Sequence, residues 1–248
     1  MDLFLPALKI GICAMFAVVS TRFQFLDHAG TIAATAVGLV IIFAGGIAWF
    51  AILLLFLLLG IAATKYRYRY KERRGLHERG NGMRKARNVL ANGTMPAVTA
   101  LLAPVFSHGD MAVPFAVAIA VATADTFASE LGVLSEKVYL ITSLQRTDVG
   151  TNGGVSWLGE GAALLGSLAI AIPAVLLLDL EPVWLPFIVA VGFLGCQIDS
   201  LLGATLQGGE IGTEEQLPSD AVLTNSDVNL LSIAIAALIA FVYAVLLF

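Results

Sequence analysis

The chain has 248 residues, 58% of them hydrophobic and 13% charged, with a mean hydropathy of +0.89. That balance excludes an ordinary water-soluble domain; at roughly 20 apolar residues per membrane-crossing helix, the length leaves room for about seven or eight spans and no separate soluble domain. The formal net charge is -4, yet ten of the fourteen Lys and Arg residues fall within 65–87, and after Asn88 only Lys137 and Arg146 are basic while fourteen acidic residues follow.

The apolar pattern predicts an all-α, polytopic bundle, one membrane domain over 1–248, with eight spans at about 4–20, 29–44, 47–64, 89–107, 111–132, 157–178, 184–206 and 228–248. Helices are forced, because an open strand leaves backbone groups unsatisfied in lipid. The first apolar run has no basic residues before it and no cleavage pattern after it, so it reads as a retained span. The stretch 30–64 divides at Gly45 and Gly46, since one helix of that length overshoots the bilayer; a single long or re-entrant element is the alternative. The chain thus reads as N-terminal spans (1–64), a basic loop (65–88) and a catalytic bundle (89–248). The positive-inside rule places the basic loop in the cytoplasm, the N-terminus outside, and 21–28, 133–156 and 207–227 inside. The expected location is a multi-pass integral membrane protein, in the cell membrane if the source is prokaryotic. Trp49 and Trp184 fall at outer helix ends and Trp157 at an inner one, the expected places for interfacial anchors. Cys13 and Cys196 lie in apolar runs, and His28, His77 and His108 show no ligand spacing.

Five segments can carry chemistry. KYRYRYKERR at 65–74 interleaves cations with tyrosines and reads as a juxtamembrane segment held by anionic membrane lipids; nucleic acid is not an expected partner. Arg84, Asn88 and Asn92 follow at spacings of four, a polar stripe entering the membrane on one helix face, with Arg87 beside it. The stripe suits either interhelical hydrogen bonding or an anionic headgroup. In ATADTFASELG at 122–132, an intramembrane carboxylate such as Asp125 points to function, and its hard oxygens suit Mg²⁺. Glu130, about 140° around the helix from Asp125, is not a simple chelating partner.

GTNGGVS at 150–156 (Gly150, Thr151, Asn152, Gly153, Gly154, Ser156) precedes a helix and could cradle phosphate, with Arg146 just before it; it lacks the Lys of a Walker A loop. A tight return loop is the competing reading. In GCQIDSLLGA at 195–204, Asp199 stands four residues from Gly195 and from Gly203, a face cleared for a close helix or for a ligand. LTNSDVN at 223–229 brings Asn225 and Asn229, further candidates for binding phosphate, before the last span. Asp125-Thr126 followed by Thr151-Asn152, and Asp199-Ser200 followed by Thr224-Asn225, form a weak helix-loop-helix repeat that would gather both aspartates around one cytoplasm-facing pocket.

RxxRNxxANG at 84–93, the ADTFASELG run ending at Gly132, GTNGGVS at 150–156 and DSLLGA at 199–204 together resemble the membrane family that contains the plant phytyl-phosphate kinases, with archaeal and bacterial relatives. The resemblance covers most of the chain from Arg84 onward. It implies phosphoryl transfer from a nucleoside triphosphate, CTP being the suggested donor, to an isoprenyl monophosphate such as phytyl or geranylgeranyl phosphate, giving a diphosphate. Asp125 and Asp199 would then hold Mg²⁺, with Glu130 in support, and Arg87 would act with them. Thr151, Asn152 and Ser156 of the glycine loop would take nucleotide phosphates. Arg84, Arg87, Asn88 and Asn92 would hold the lipid phosphate, or the two assignments could be exchanged. Competing readings are a cytidylyltransferase making a CDP-lipid, a polyprenol kinase, a transporter of an anionic lipid or small anion, and a non-catalytic scaffold.

Overall fold

The computed structural model describes residues 4–76, 83–106, 108–207 and 222–247. Residues 77–82 of the basic loop and 208–221 of the last inner segment lie outside the described residues. The apolar runs form α1 (Phe4–Phe23), α2 (His28–Ala44), α3 (Ile47–Lys65), α5 (Ala86–Leu102), α6 (His108–Gly132), α7 (Trp157–Leu177), α8 (Trp184–Leu206) and α9 (Asn225–Phe241), while α4 (Tyr68–Arg73) is a short helix in the basic loop. Six of them, α1, α3, α6, α7, α8 and α9, are long and apolar enough to cross a membrane, and α2 is a shorter apolar helix. At the fourth of the eight expected positions stands α5, whose 17 residues include Arg87, Asn88 and Asn92. The expected division of 30–64 is present: α2 ends at Gly45, and Gly46 starts α3 at φ +105°, backbone that favours glycine.

Helix α6 is the axis of the bundle. Over its most apolar stretch 83% of residues are buried, against 11% for α1, and it packs on α3, α5, α7, α8 and α9. Small residues make this possible. A Cβ on Gly195 of α8 would sit 2.3 Å from Val121 Cγ2 of α6, so the two backbones approach as only small residues permit. Gly195→Val is therefore expected to destabilise the bundle by about 1–3 kcal/mol through overpacking. A lowered melting temperature in detergent, partly restored by Val121→Ala, is the check.

One sequence expectation changes here, and the expected helical bundle gains one detail. Trp49 and Trp184 are buried, Trp49 tilted against Phe115 and Trp184 edge-on to Phe187 and Tyr243; large apolar rings gain more from the core than from the interface. Only Trp157, 87% exposed, fits the anchor reading. The bundle is also not purely helical: the 133–156 segment folds into a small antiparallel sheet of β1 (Val138–Leu140), β2 (Arg146–Thr147) and β3 (Gly154–Val155), with β1 in the middle. Val138 pairs with Thr147 and Tyr139 with Val155.

Candidate active site

Asp125 of α6 and Asp199 of α8 come within hydrogen-bonding reach of each other. Helix α9 fixes the second of them. Ser232 Oγ donates to Asp199 Oδ2 at 2.8 Å, and the Asn229 amide is placed to donate to the same oxygen at 3.3 Å and to the Asn225 carbonyl at 2.9 Å. Asn225, Asn229 and Ser232 recur at i, i+4 and i+7, so one face of α9 presents all three. Of the two candidate phosphate ligands, Asn229 is placed to position Asp199, and Asn225 contributes its backbone carbonyl. Ser232 carried the same spacing signal and was missed in the sequence.

Arg84 lies before α5 rather than on it, so it does not continue the stripe of Asn88 and Asn92. Its backbone pairs with the 25–27 segment: Leu26 and Arg84 form a parallel bridge, and Asp27 N–H donates to its carbonyl at 3.3 Å. The side chain, with the residue only 5% exposed, turns inward over the Phe56 ring and against Gly60, where a Cβ would lie 2.6 Å from Nη2. Nη2 donates to Thr126 Oγ1 at 3.5 Å, and the guanidinium is close enough to Asp125 to act on its charge. The same arginine lines an apolar groove among α1, α2, α3 and α5, together with Phe50, Leu53, Phe56, Asn88 and Asn92. One cation thus faces both the carboxylate pair and the groove.

The other expected site residues fall elsewhere. Arg87 points outward into an ion pair with Asp227 at 3.4 Å, both about half exposed; Asp227 also closes the capping box that starts α9 with Thr224. Glu130 has both oxygens engaged, one by Lys71 Nζ and the other by Thr64 Oγ1 at 2.8 Å. Among the described residues no three acidic, His or Cys side chains converge as metal ligands, so Glu130 does not join the aspartates.

The glycine loop is a structural turn. Gly150 and Gly153 have φ of +92° and +70°, and a Cβ on Gly153 would lie 2.3 Å from Ala204 Cβ, which shows how tightly the loop sits on α8. Thr151 Oγ1 donates to the Asp148 carbonyl, Asn152 Oδ1 accepts from Gln207, and Gly154 N–H donates to the Thr151 carbonyl. Ser156 caps α7 itself, accepting from Gly159 N–H, and Arg146 is exposed on β2, donating to the Glu136 carbonyl. The clearance beside Asp199 is likewise filled by protein, Gly195 meeting Val121 and Gly203 meeting Gly153. Within the repeat the aspartates correspond and meet. The Thr-Asn pairs do not, since Thr224 caps α9 directly whereas Thr151 lies five residues before the cap of α7.

A polytopic helical bundle with two facing aspartates and a buried arginine defines an integral membrane protein with an ionic site among its helices. The family model of integral membrane protein DUF92 matches residues 11–237, and the chain belongs to that family. It is 31% identical over 233 residues to an uncharacterized membrane protein of Methanocaldococcus jannaschii, covering 93% of this chain and 91% of that one. Two Arabidopsis thaliana proteins are each 27% identical: Protein VTE6, chloroplastic, over 87% of this chain and 64% of its own length, and Protein PGR, over 96% and 95%. No solved structure matches.

Proposed function

We propose that this protein is a membrane phosphotransferase that moves a phosphoryl group from a nucleoside triphosphate, CTP by preference, to an isoprenyl monophosphate held among its helices. The observation that carries this is Arg84, which lies beside Asp125 of the Asp125–Asp199 pair and also lines an apolar groove. Kinship with the family that contains phytyl-phosphate kinases supports the same chemistry. Two carboxylates this close need a cation or a shared proton between them, and a pair of hard oxygen donors completed by phosphate oxygens is the environment Mg²⁺ favours. Asp125 and Asp199 would hold the ion, which when bound neutralises charge developing on the transferred group.

The rest falls to the chain. Ser232 and Asn229 keep Asp199 oriented, Arg84 draws the acceptor phosphate to the pair, and the packed faces of α6, α8 and α9 exclude water. A phosphate monoester already carries an ionised oxygen, so positioning and charge neutralisation suffice without a strong base.

Purified protein in nanodiscs, given Mg²⁺, geranylgeranyl monophosphate and labelled CTP, should pass a γ-label to the lipid. Transfer of an α-label would make it a cytidylyltransferase, and anion transport in proteoliposomes without nucleotide turnover would overturn the kinase reading. Because the glycine loop's polar atoms are engaged internally, Asn152→Ala should cost about 1 kcal/mol of stability and leave the nucleotide KM unchanged. A raised KM at native stability would return the loop to the nucleotide.

A further inference from the structure

One residue lining the groove carries a buried polar atom that meets no partner among the described residues. Asn92 is 3% exposed and is held by its Nδ2, which donates to the Asn88 carbonyl at 2.9 Å. Its Oδ1 has no partner among the described residues. Buried acceptors are rarely left unmet, and one that is invites a ligand. Asn92 lines a groove whose walls are mostly hydrocarbon, among them Val37, Phe50, Leu53 and Leu57, with Arg84 and Asn88 also among the lining residues. An arginine calls for negative charge and an unpaired carbonyl calls for a donor. A single head that supplies both, on a single apolar chain, is a phosphate monoester that retains one proton.

We propose, resting on the phosphotransferase reading, that this groove is the acceptor-lipid site and that Asn92 sets its head-group preference by accepting a hydrogen bond from the protonated phosphate oxygen. The consequence is discrimination between acceptor and product. A free alcohol offers the donor without the charge. A diphosphate brings more charge and a bulkier head to a place shaped for one phosphorus. The monophosphate should therefore bind best, with the diphosphate and the alcohol each about tenfold weaker, roughly the effect of one unmade hydrogen bond to a charged group.

The test measures binding without nucleotide, so it does not depend on turnover. The full chain in nanodiscs is labelled with a photoreactive geranylgeranyl monophosphate analogue and competed with the unmodified monophosphate, diphosphate and alcohol. Labelling is expected on α2, α3 and α5, with the monophosphate the best competitor. Asn92→Leu should weaken monophosphate competition about tenfold and leave the diphosphate almost unaffected. Ala34→Phe, which fills the groove from α2, should abolish labelling, whereas Leu176→Phe on the exposed face of α7 should not. Labelling of the native chain elsewhere overturns the groove even if Ala34→Phe fails to fold. An unchanged preference in Asn92→Leu overturns its role in selection. Labelling as expected with no phosphoryl transfer would sink the kinase reading and leave the lipid site standing.

Discussion

Asp125→Asn and Asp199→Asn are each expected to reduce phosphoryl transfer by at least about 10²–10³-fold, the scale on which loss of a group stabilising developing charge is felt, while the protein stays folded. The two effects separate because the carboxylates oppose each other. Asparagine has the shape of aspartate, and at 199 its oxygen can still accept from Ser232 Oγ, which lies 2.8 Å from Oδ2. What disappears is one of two buried carboxyl groups that need a cation or a shared proton between them, so melting temperature should hold or rise. A structural pair would behave in the opposite way, with loss of either member lowering stability and activity together. The double variant should be little worse than either single one, since residues acting as a unit are not additive. Retained transfer in both single variants would remove the metal assignment.

The aspartates could be found in the sequence because intramembrane charge is rare and costly enough to stand out against an apolar background. Their meeting was suggested by the repeat, and it follows in space from α6 and α8 packing closely at Gly195 and Val121. The partners of Asp199 were harder to see. Asn225, Asn229 and Ser232 share one face of α9, but which helix that face meets is a tertiary fact.

The sequence left two readings open at these segments for one physical reason: the same residue types serve ligands and backbone equally well. Glycines at 150, 153 and 154 and the hydroxyls of Thr151 and Ser156 could cradle phosphate, yet they make a turn, a sheet edge and a helix cap. Arg84, Asn88 and Asn92 keep helical spacing in the sequence, yet α5 begins only at Ala86 because Arg84 pairs with the 25–27 segment. They nonetheless line the same groove, reached from the helix by the asparagines and from an extended strand-like segment by the arginine. Helical spacing alone therefore does not explain why the three line one groove.

Lys71 corrects the view of the basic loop as a lipid anchor alone. Its neighbours Arg69 and Arg73 face outward, but Lys71 has a side chain only 1% exposed and pairs with Glu130 of α6, itself 13% exposed. Lys71 Nζ also donates to the Ala63 carbonyl at 3.2 Å, and Thr64 occupies the other Glu130 oxygen, so α4 is fastened to the inner ends of α3 and α6. Lys71→Met should cost about 3–5 kcal/mol, because it leaves a carboxylate buried without its cation. Lys71→Met combined with Glu130→Leu should recover most of that loss, since a well-packed apolar pair can replace a buried ion pair. Melting in detergent reads both, and a single variant as stable as the native chain would show that the pair fastens nothing. The double variant then decides a chemical question. Glu130 stands five residues beyond Asp125 on α6; if its role is to hold Lys71, the restored double variant transfers phosphate at close to the native rate. If Glu130 instead takes part at the metal, that variant folds normally and is inactive.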